Sequence, residues 1–141
     1  MTSERQRIVL DTNTIVSALL LPRSVPRKAF DSAMSVGTVL ASQVTIDELD
    51  AVLRRPKFDR YVHEDERLRF LATYIHAVTL VAPTITMRDC RDQKDNKFLE
   101  LAVDGNASCI VSGDSDLLDL APYRGIVILS PKDFLQHDEV S

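Results

Sequence analysis

Ile8-Val9-Leu10-Asp11-Thr12-Asn13-Thr14-Ile15 is the stretch whose reading decides the fold. A short apolar run, Ile8 to Leu10, drives straight into a carboxylate, passes three small polar residues and resumes an apolar pattern. A run this short, bounded by a polar cluster, reads as a buried strand of a parallel sheet. Asp11 then stands at the strand's carboxyl end, the rim where open α/β sheets place their chemistry. A carboxylate there is costly unless a cation or hydrogen-bond donors compensate it. What compensates Asp11 is the question the rest of the chain has to answer.

At 141 residues the chain has the size of a single domain, spanning 1–141, with enough material for a sizeable core. No run approaches the ~20 apolar residues of a membrane span, so no membrane association is expected. The charged residues 1–7 lead directly into the first strand and leave no room for a signal peptide. Cys90 and Cys109 lie far apart and fit neither a disulfide framework nor a zinc spacing. The expectation is a reduced, cytoplasmic protein. A net charge of −4 argues against holding nucleic acid by bulk electrostatics, though not against a local basic patch. Carboxylates gathered at one site would also count against the total until metal binds them.

Along the chain, strands are expected at 7–11, 38–41, 78–82, 107–112 and 126–129. A helix over 14–21, capped by Thr12 or Asn13, ends at Pro22. A second helix starts at Pro26 and closes at Gly37. Ser42 caps a third, which ends at Arg54, Arg55 and Pro56. Residues 65–77 form an amphipathic helix with Leu68, Leu71 and Ile75 on one stripe. Phe70 and Tyr74 lie beside that stripe and can widen it into a homodimer surface. Residues 84–92 read as loop, 95–103 as helix, 117–120 as a short helix, and 131–135 as a terminal helix before a frayed tail at 136–141. Strands thus alternate with helices, which argues an α/β fold: a three-layer α/β/α sandwich around a parallel, roughly five-stranded sheet.

Several acids land at strand ends or helix starts. Asp11 follows strand one, Glu48 lies on the helix after strand two, Asp95 opens the helix before strand four, and Asp114 and Asp116 follow strand four. If the chain reverses direction after the third strand, strands one and four become neighbours and their carboxyl ends form the switch-point crevice. Asp11 and Asp114 are then side by side, with Glu48 and Asp95 within reach. Such carboxylates raise each other's pKa unless a cation intervenes. All-oxygen ligands favour a hard ion, Mg²⁺ with Mn²⁺ able to substitute, and two ions about 4 Å apart would serve a phosphodiester.

Each acid also has an ordinary explanation. Asp11 can cap the first helix, and Asp95 can simply favour a helix N-terminus. Glu48, three residues after Thr45, can close a capping box, and Asp114 sits in a turn where Asp is common. His63, His76 and His137 show no ligand spacing, and no phosphate-binding loop or glycine fingerprint is present. Arg23, Arg27 and Lys28 after the first helix are candidate phosphate contacts. Arg54, Arg55, Lys57 and Arg60 after the third form a second such group, and for both the default is a solvated face.

These segments together resemble a known family. Residues 8–13, Thr45-Ile46-Asp47-Glu48-Leu49 and its continuation, Cys90-Arg91-Asp92-Gln93-Lys94-Asp95-Asn96-Lys97, and Ile110-Val111-Ser112-Gly113-Asp114-Ser115-Asp116 are similar to the PIN domain. More narrowly, they look like the small stand-alone prokaryotic PIN proteins described as toxins of toxin–antitoxin pairs. The resemblance covers nearly the whole chain and implies a metal-dependent ribonuclease. It places the family's acidic quartet on Asp11, Glu48, Asp95 and Asp114, with metal ligation expected from Asp11, Asp95, Asp114 and the additional Asp116. Asn13, Ser112 and Asp92 match auxiliary positions. It also implies an RNA substrate and a protein antitoxin as partners.

Two other readings compete. Asp11-Thr12-Asn13-Thr14 resembles the opening of a haloacid-dehalogenase-like phosphatase, but the second acid that chemistry needs is Asn13 here. A non-catalytic receiver-like or RNA-binding module is the other, and Val81-Ala82-Pro83 supplies no carboxylate at the end of strand three for a receiver.

Overall fold

The computed structural model describes residues 5–140, the last three of them by backbone alone. The chain runs β1 (Arg7–Leu10), α1 (Thr12–Leu20), α2 (Val25–Val36), β2 (Thr38–Ala41) and α3 (Gln43–Leu53). After a 3₁₀ turn at Pro56–Phe58 come α4 (Glu64–Ala77) and β3 (Thr79–Leu80). A second 3₁₀ turn, Gln93–Asp95, leads into α5 (Asn96–Asp104), β4 (Cys109–Val111), α6 (Ser115–Leu118), β5 (Val127–Leu129) and α7 (Pro131–Val140). All four strand pairings are parallel, in the order β3-β2-β1-β4-β5. The reversal after the third strand therefore sets β1 against β4, with Leu10 opposite Val111.

Alternation along the strands explains the three layers, because successive side chains leave opposite faces of a sheet. Ile8 and Leu10 of β1, Val39 of β2, and Cys109 and Val111 of β4 enter one apolar cluster with α1, α2 and α4. Val9, Leu40 and Ile110 enter the other, with Phe98, Leu99 and Leu101 of α5. Ile8 and Val9 are both fully buried, as a strand covered on two faces requires. Both cysteines are buried and unpaired. Among the described residues no helix is long and apolar enough to cross a membrane.

Local sequence choices set the helix ends. Ser42 and Thr45 form a reciprocal capping box at the start of α3, so Thr45 is its closing partner and Glu48 is left free of it. Ser24 caps α2, and Gly37 ends it at a point where a Cβ would lie 2.5 Å from Ile8 Cδ1. The first helix is capped by Asp11, the alternative to Thr12 and Asn13 as its cap.

Three expectations are corrected. Strand three is two residues long, because it is an edge strand paired only to β2 and both its residues are exposed. Tyr74 is not available to widen a surface stripe, and Phe70 is partly buried. Tyr74 is buried, and Phe30 stacks on both rings at 5.4 and 6.3 Å. The C-terminal helix does not stop at 135: it runs to Val140, held by buried Phe134 and packed on α2. Of the tail expected to fray, only Ser141 lies outside the described residues.

Candidate active site at the carboxyl ends of the central strands

The backbone of Asp11 continues the β1–β4 ladder by one bond, its N–H donating to Val111 O at 3.1 Å. That fixes the residue, and two donors then fix its carboxylate. Oδ1 accepts from the Thr14 N–H at 2.9 Å, which caps α1, and Oδ2 accepts from Ser112 Oγ at 2.5 Å. Ser112 is fully buried and its Oγ also accepts from the Asp114 N–H, so one hydroxyl ties the end of β1 to the turn after β4. Asp114 in turn caps α6 through the Asp116 N–H.

These bonds do not fully compensate Asp11. Burial outweighs the hydrogen bonds from Ser112 and Thr14, and the charge of Asp114 adds to it, so the Asp11 carboxyl is held above its ordinary range. Asp95 shows the same strain more openly. It ends the 3₁₀ turn ahead of α5 but makes no side-chain cap bond, so helix capping does not account for it. Its Oδ2 is buried without a hydrogen-bond partner. Burial, a hydrogen bond shared with Asp114, and the charges of Asp114, Asp92 and Asp11 push it up to about 7.

Glu48 faces this group from α3 and is held at both oxygens. Oε1 accepts from Thr12 Oγ at 2.5 Å and Oε2 pairs with Lys97 Nζ at 2.7 Å. Asp11, Glu48, Asp95 and Asp114 all line one cleft of about 170 Å³, together with Asn13 and Asp92. Arg55 and Lys94 stand at the same cleft. A wider trough of about 590 Å³ adjoins it, sharing Lys94 and adding Arg88 and Lys97.

Other expected site residues are placed elsewhere. Asp116 is ion-paired to Arg91 at 3.0 Å and does not line the cleft. Arg23 borders a separate apolar depression with Leu21 and Pro22. Arg27 is committed to Asp31 and to Ala18 O. Neither these nor Lys28 lines the acidic cleft, where Arg55 and Lys94 supply the positive charge instead. Arg55 belongs to the second basic group legible in the sequence. Lys97 carried its own signal: it is the second residue of α5, the helix end where the macrodipole disfavours a cation.

The set fits a hard divalent ion. Its donors are carboxylate oxygens, one of them buried without a partner, and Asp11, Asp95 and Asp114 line the same cleft where a cation would offset their charge. Among the described residues no three His, Cys, Asp or Glu side chains already close round a point.

Proton linkage gives a measurable consequence. The folded pKa of Asp95 lies above that of the unfolded chain, so the folded state holds a proton that the unfolded state releases above about pH 4. Stability from this group is fully present below the unfolded value and is lost as pH rises toward 7. With solvent screening allowed for, the loss is on the order of 2 kcal/mol. In metal-free buffer, Asp95→Asn should therefore match the wild type near pH 4 and exceed its Tm by roughly 5–8 °C at pH 8. Thermal melts across that range check it; a constant difference would assign Asp95 no such linkage.

Comparison with known proteins agrees with this frame. The chain is 28% identical over 143 residues to an uncharacterised protein of Methanocaldococcus jannaschii, covering 94% of this chain and 92% of that one. It superimposes on PAE2754 from Pyrobaculum aerophilum with a TM-score of 0.64 at 13% identity, over 96% of this chain and 91% of that one. It also matches the crystal structure of VapBC2 from Rickettsia felis bound to a DNA fragment from their promoter, with a TM-score of 0.59 at 10% identity. That match covers 88% of this chain and 98% of the other. The profile of the PIN domain, a family generally of nucleases, matches residues 7–116. Since that span runs from the first residue of β1 into α6, the chain belongs to the PIN domain family.

Proposed function

We propose that this PIN domain is a Mg²⁺- or Mn²⁺-dependent endoribonuclease and the toxin of a toxin–antitoxin pair. The observation that carries the reading is the orphaned Asp95 oxygen, in one cleft with Asp114 and a buried Asp11. Asp11, Asp95 and Asp114 would hold the ion; Asp116 would join them only by giving up Arg91. When bound, the ion lowers the pKa of a coordinated water and stabilises charge on a phosphodiester.

The chain's own residues supply the rest. Ser112 and Thr14 fix both oxygens of Asp11, so its lone pairs point one way before any ligand arrives. Thr12 and Lys97 do the same for Glu48, which suits it to orient an attacking water. Arg55 and Lys94 bind backbone phosphates of the strand entering the cleft. The choice of RNA and the antitoxin rest on the family and on the toxin–antitoxin relative. An antitoxin that presents Arg or Lys to the acidic cleft would fit its charge. The phosphatase reading gains nothing from the geometry, since Asn13 stands in the cleft where an acid is needed.

The test is cleavage of structured and single-stranded RNAs by purified protein with Mn²⁺, with and without EDTA. Cleavage that chelation abolishes supports the reading; intact RNA together with no Mn²⁺ binding by calorimetry overturns it. Arg55→Ala with Lys94→Ala should raise KM about tenfold and change kcat less. It should also flatten the slope of log affinity against log salt by about 1.4 to 1.8, the share of two phosphate contacts.

A further inference from the structure

Lys97 has no ordinary structural reason to sit where it does. It occupies the first turn of α5, where the helix dipole repels a cation. Its side chain is only 14% exposed, and Glu48 opposite is 29% exposed, so the pair is more shielded than a surface ion pair. The ammonium is 2.7 Å from Glu48 Oε2, also donates to Lys94 O, and lies 5.4 Å from the Phe98 ring centre. Phe98 and Glu48 both line the acidic cleft, and Lys97 lines the trough that adjoins it. A positive charge is thus fixed at the one acid of the quartet that faces the others from a different helix.

We propose that Lys97 takes the place of a second divalent ion, making this a one-metal site completed by a lysine. The inference rests on the metal-dependent reading above and deepens it. The two sides of the cleft are compensated differently. On one side Asp95 keeps a buried oxygen without a partner, in the cleft it shares with Asp11 and Asp114. On the other, Glu48 accepts from Thr12 on Oε1 and is paired with an ammonium on Oε2, so a second cation at Glu48 would meet the fixed charge of Lys97. A site with two hard ions would need Glu48 to shed Lys97, and Lys97 has no other carboxylate partner among the described residues. Lys97 is therefore a positioning residue that holds Glu48 and excludes a second ion.

Mn²⁺ titration followed by calorimetry and electron paramagnetic resonance tests this without recourse to activity. The wild type is expected to bind one Mn²⁺ per chain with an uncoupled six-line signal. Lys97→Met, which keeps the length and removes the charge, is expected to admit a second Mn²⁺ and show exchange coupling. Lys97→Arg should keep one ion, and Lys97→Met with Glu48→Gln should return to one. Circular dichroism confirms that each variant is folded. Two coupled ions in the wild type, or a Lys97→Met protein that still binds one, overturns the proposal while leaving the metal-dependent reading standing. Absence of Mn²⁺ binding in every variant overturns both.

Discussion

Asp11→Asn should reduce Mn²⁺-dependent RNA cleavage by at least about a hundredfold, more than loss of a supporting group around a metal ligand usually costs. The fold should survive it. The asparagine carbonyl still accepts from the Thr14 N–H, and its amide can donate to Ser112 Oγ, a hydroxyl with two lone pairs. Removing a carboxylate that burial holds above its ordinary range also removes a desolvation cost, so Tm should stay level or rise. Asp11→Ala separates the two roles. It should lose activity equally, but also lose the α1 cap at about 1 kcal/mol. Cleavage rates and thermal melts on the two variants decide the matter. Full activity in Asp11→Asn would remove Asp11 from the site.

The largest effect on stability is expected at Arg67, which does not line the cleft. Its side chain is fully buried and its guanidinium is spent on three partners. Nε donates to Leu53 O at 2.6 Å, the last carbonyl of α3, Nη1 donates to Val62 O, and Nη2 pairs with Asp59 at 2.8 Å. Asp59 is 59% exposed, so the ion pair itself is worth little. What Arg67 does is satisfy two backbone carbonyls that the α3–α4 connection buries. Arg67→Ala leaves both unpaired and opens a cavity, for a cost of about 3–5 kcal/mol. That is a large part of a typical domain's stability, and urea unfolding should show the midpoint fall accordingly. Arg67→Lys should recover only part, since an ammonium cannot reproduce the guanidinium fork. A midpoint shift within error for Arg67→Ala would show that the carbonyls find other partners.

How far the molecule is legible from its sequence depends on whether an interaction is local or crosses the sheet. The alternation of strands and helices, the burial of Ile8 to Leu10 and the juxtaposition of β1 with β4 follow from patterns a few residues long and one topological rule. The placement of Asp11, Glu48, Asp95 and Asp114 in one cleft follows with them. The contacts that set each carboxylate's state are not local. Ser112 reaches Asp11 across 101 residues, and Thr12 reaches Glu48 across 36. Short strand patterns also overstate length at an edge, as β3 shows, because nothing pairs on its outer side. The stripe of α4 gives no sign of which aromatic neighbours turn inward; Phe30 on α2 decides that. Loop arginines such as Arg23 and Arg27 read as free cations in sequence, yet Arg27 is engaged by Asp31 within its own helix.

The position of β1 at the centre of the sheet bears on how such a protein is made. Asp11 leaves the ribosome early, but Ser112, which orients it, follows 101 residues later. At ~5–20 residues per second, roughly 5–20 s of synthesis separates them. Until β4 emerges, β1 lacks its neighbour, and the cleft lacks Asp95 and Asp114 for most of that interval. A chain terminated before β4 lacks the β1–β4 pairing and Asp114, so it cannot assemble the cleft. On the ribonuclease reading proposed above, the nascent chain would have no means of cutting its template until most of that template has been read.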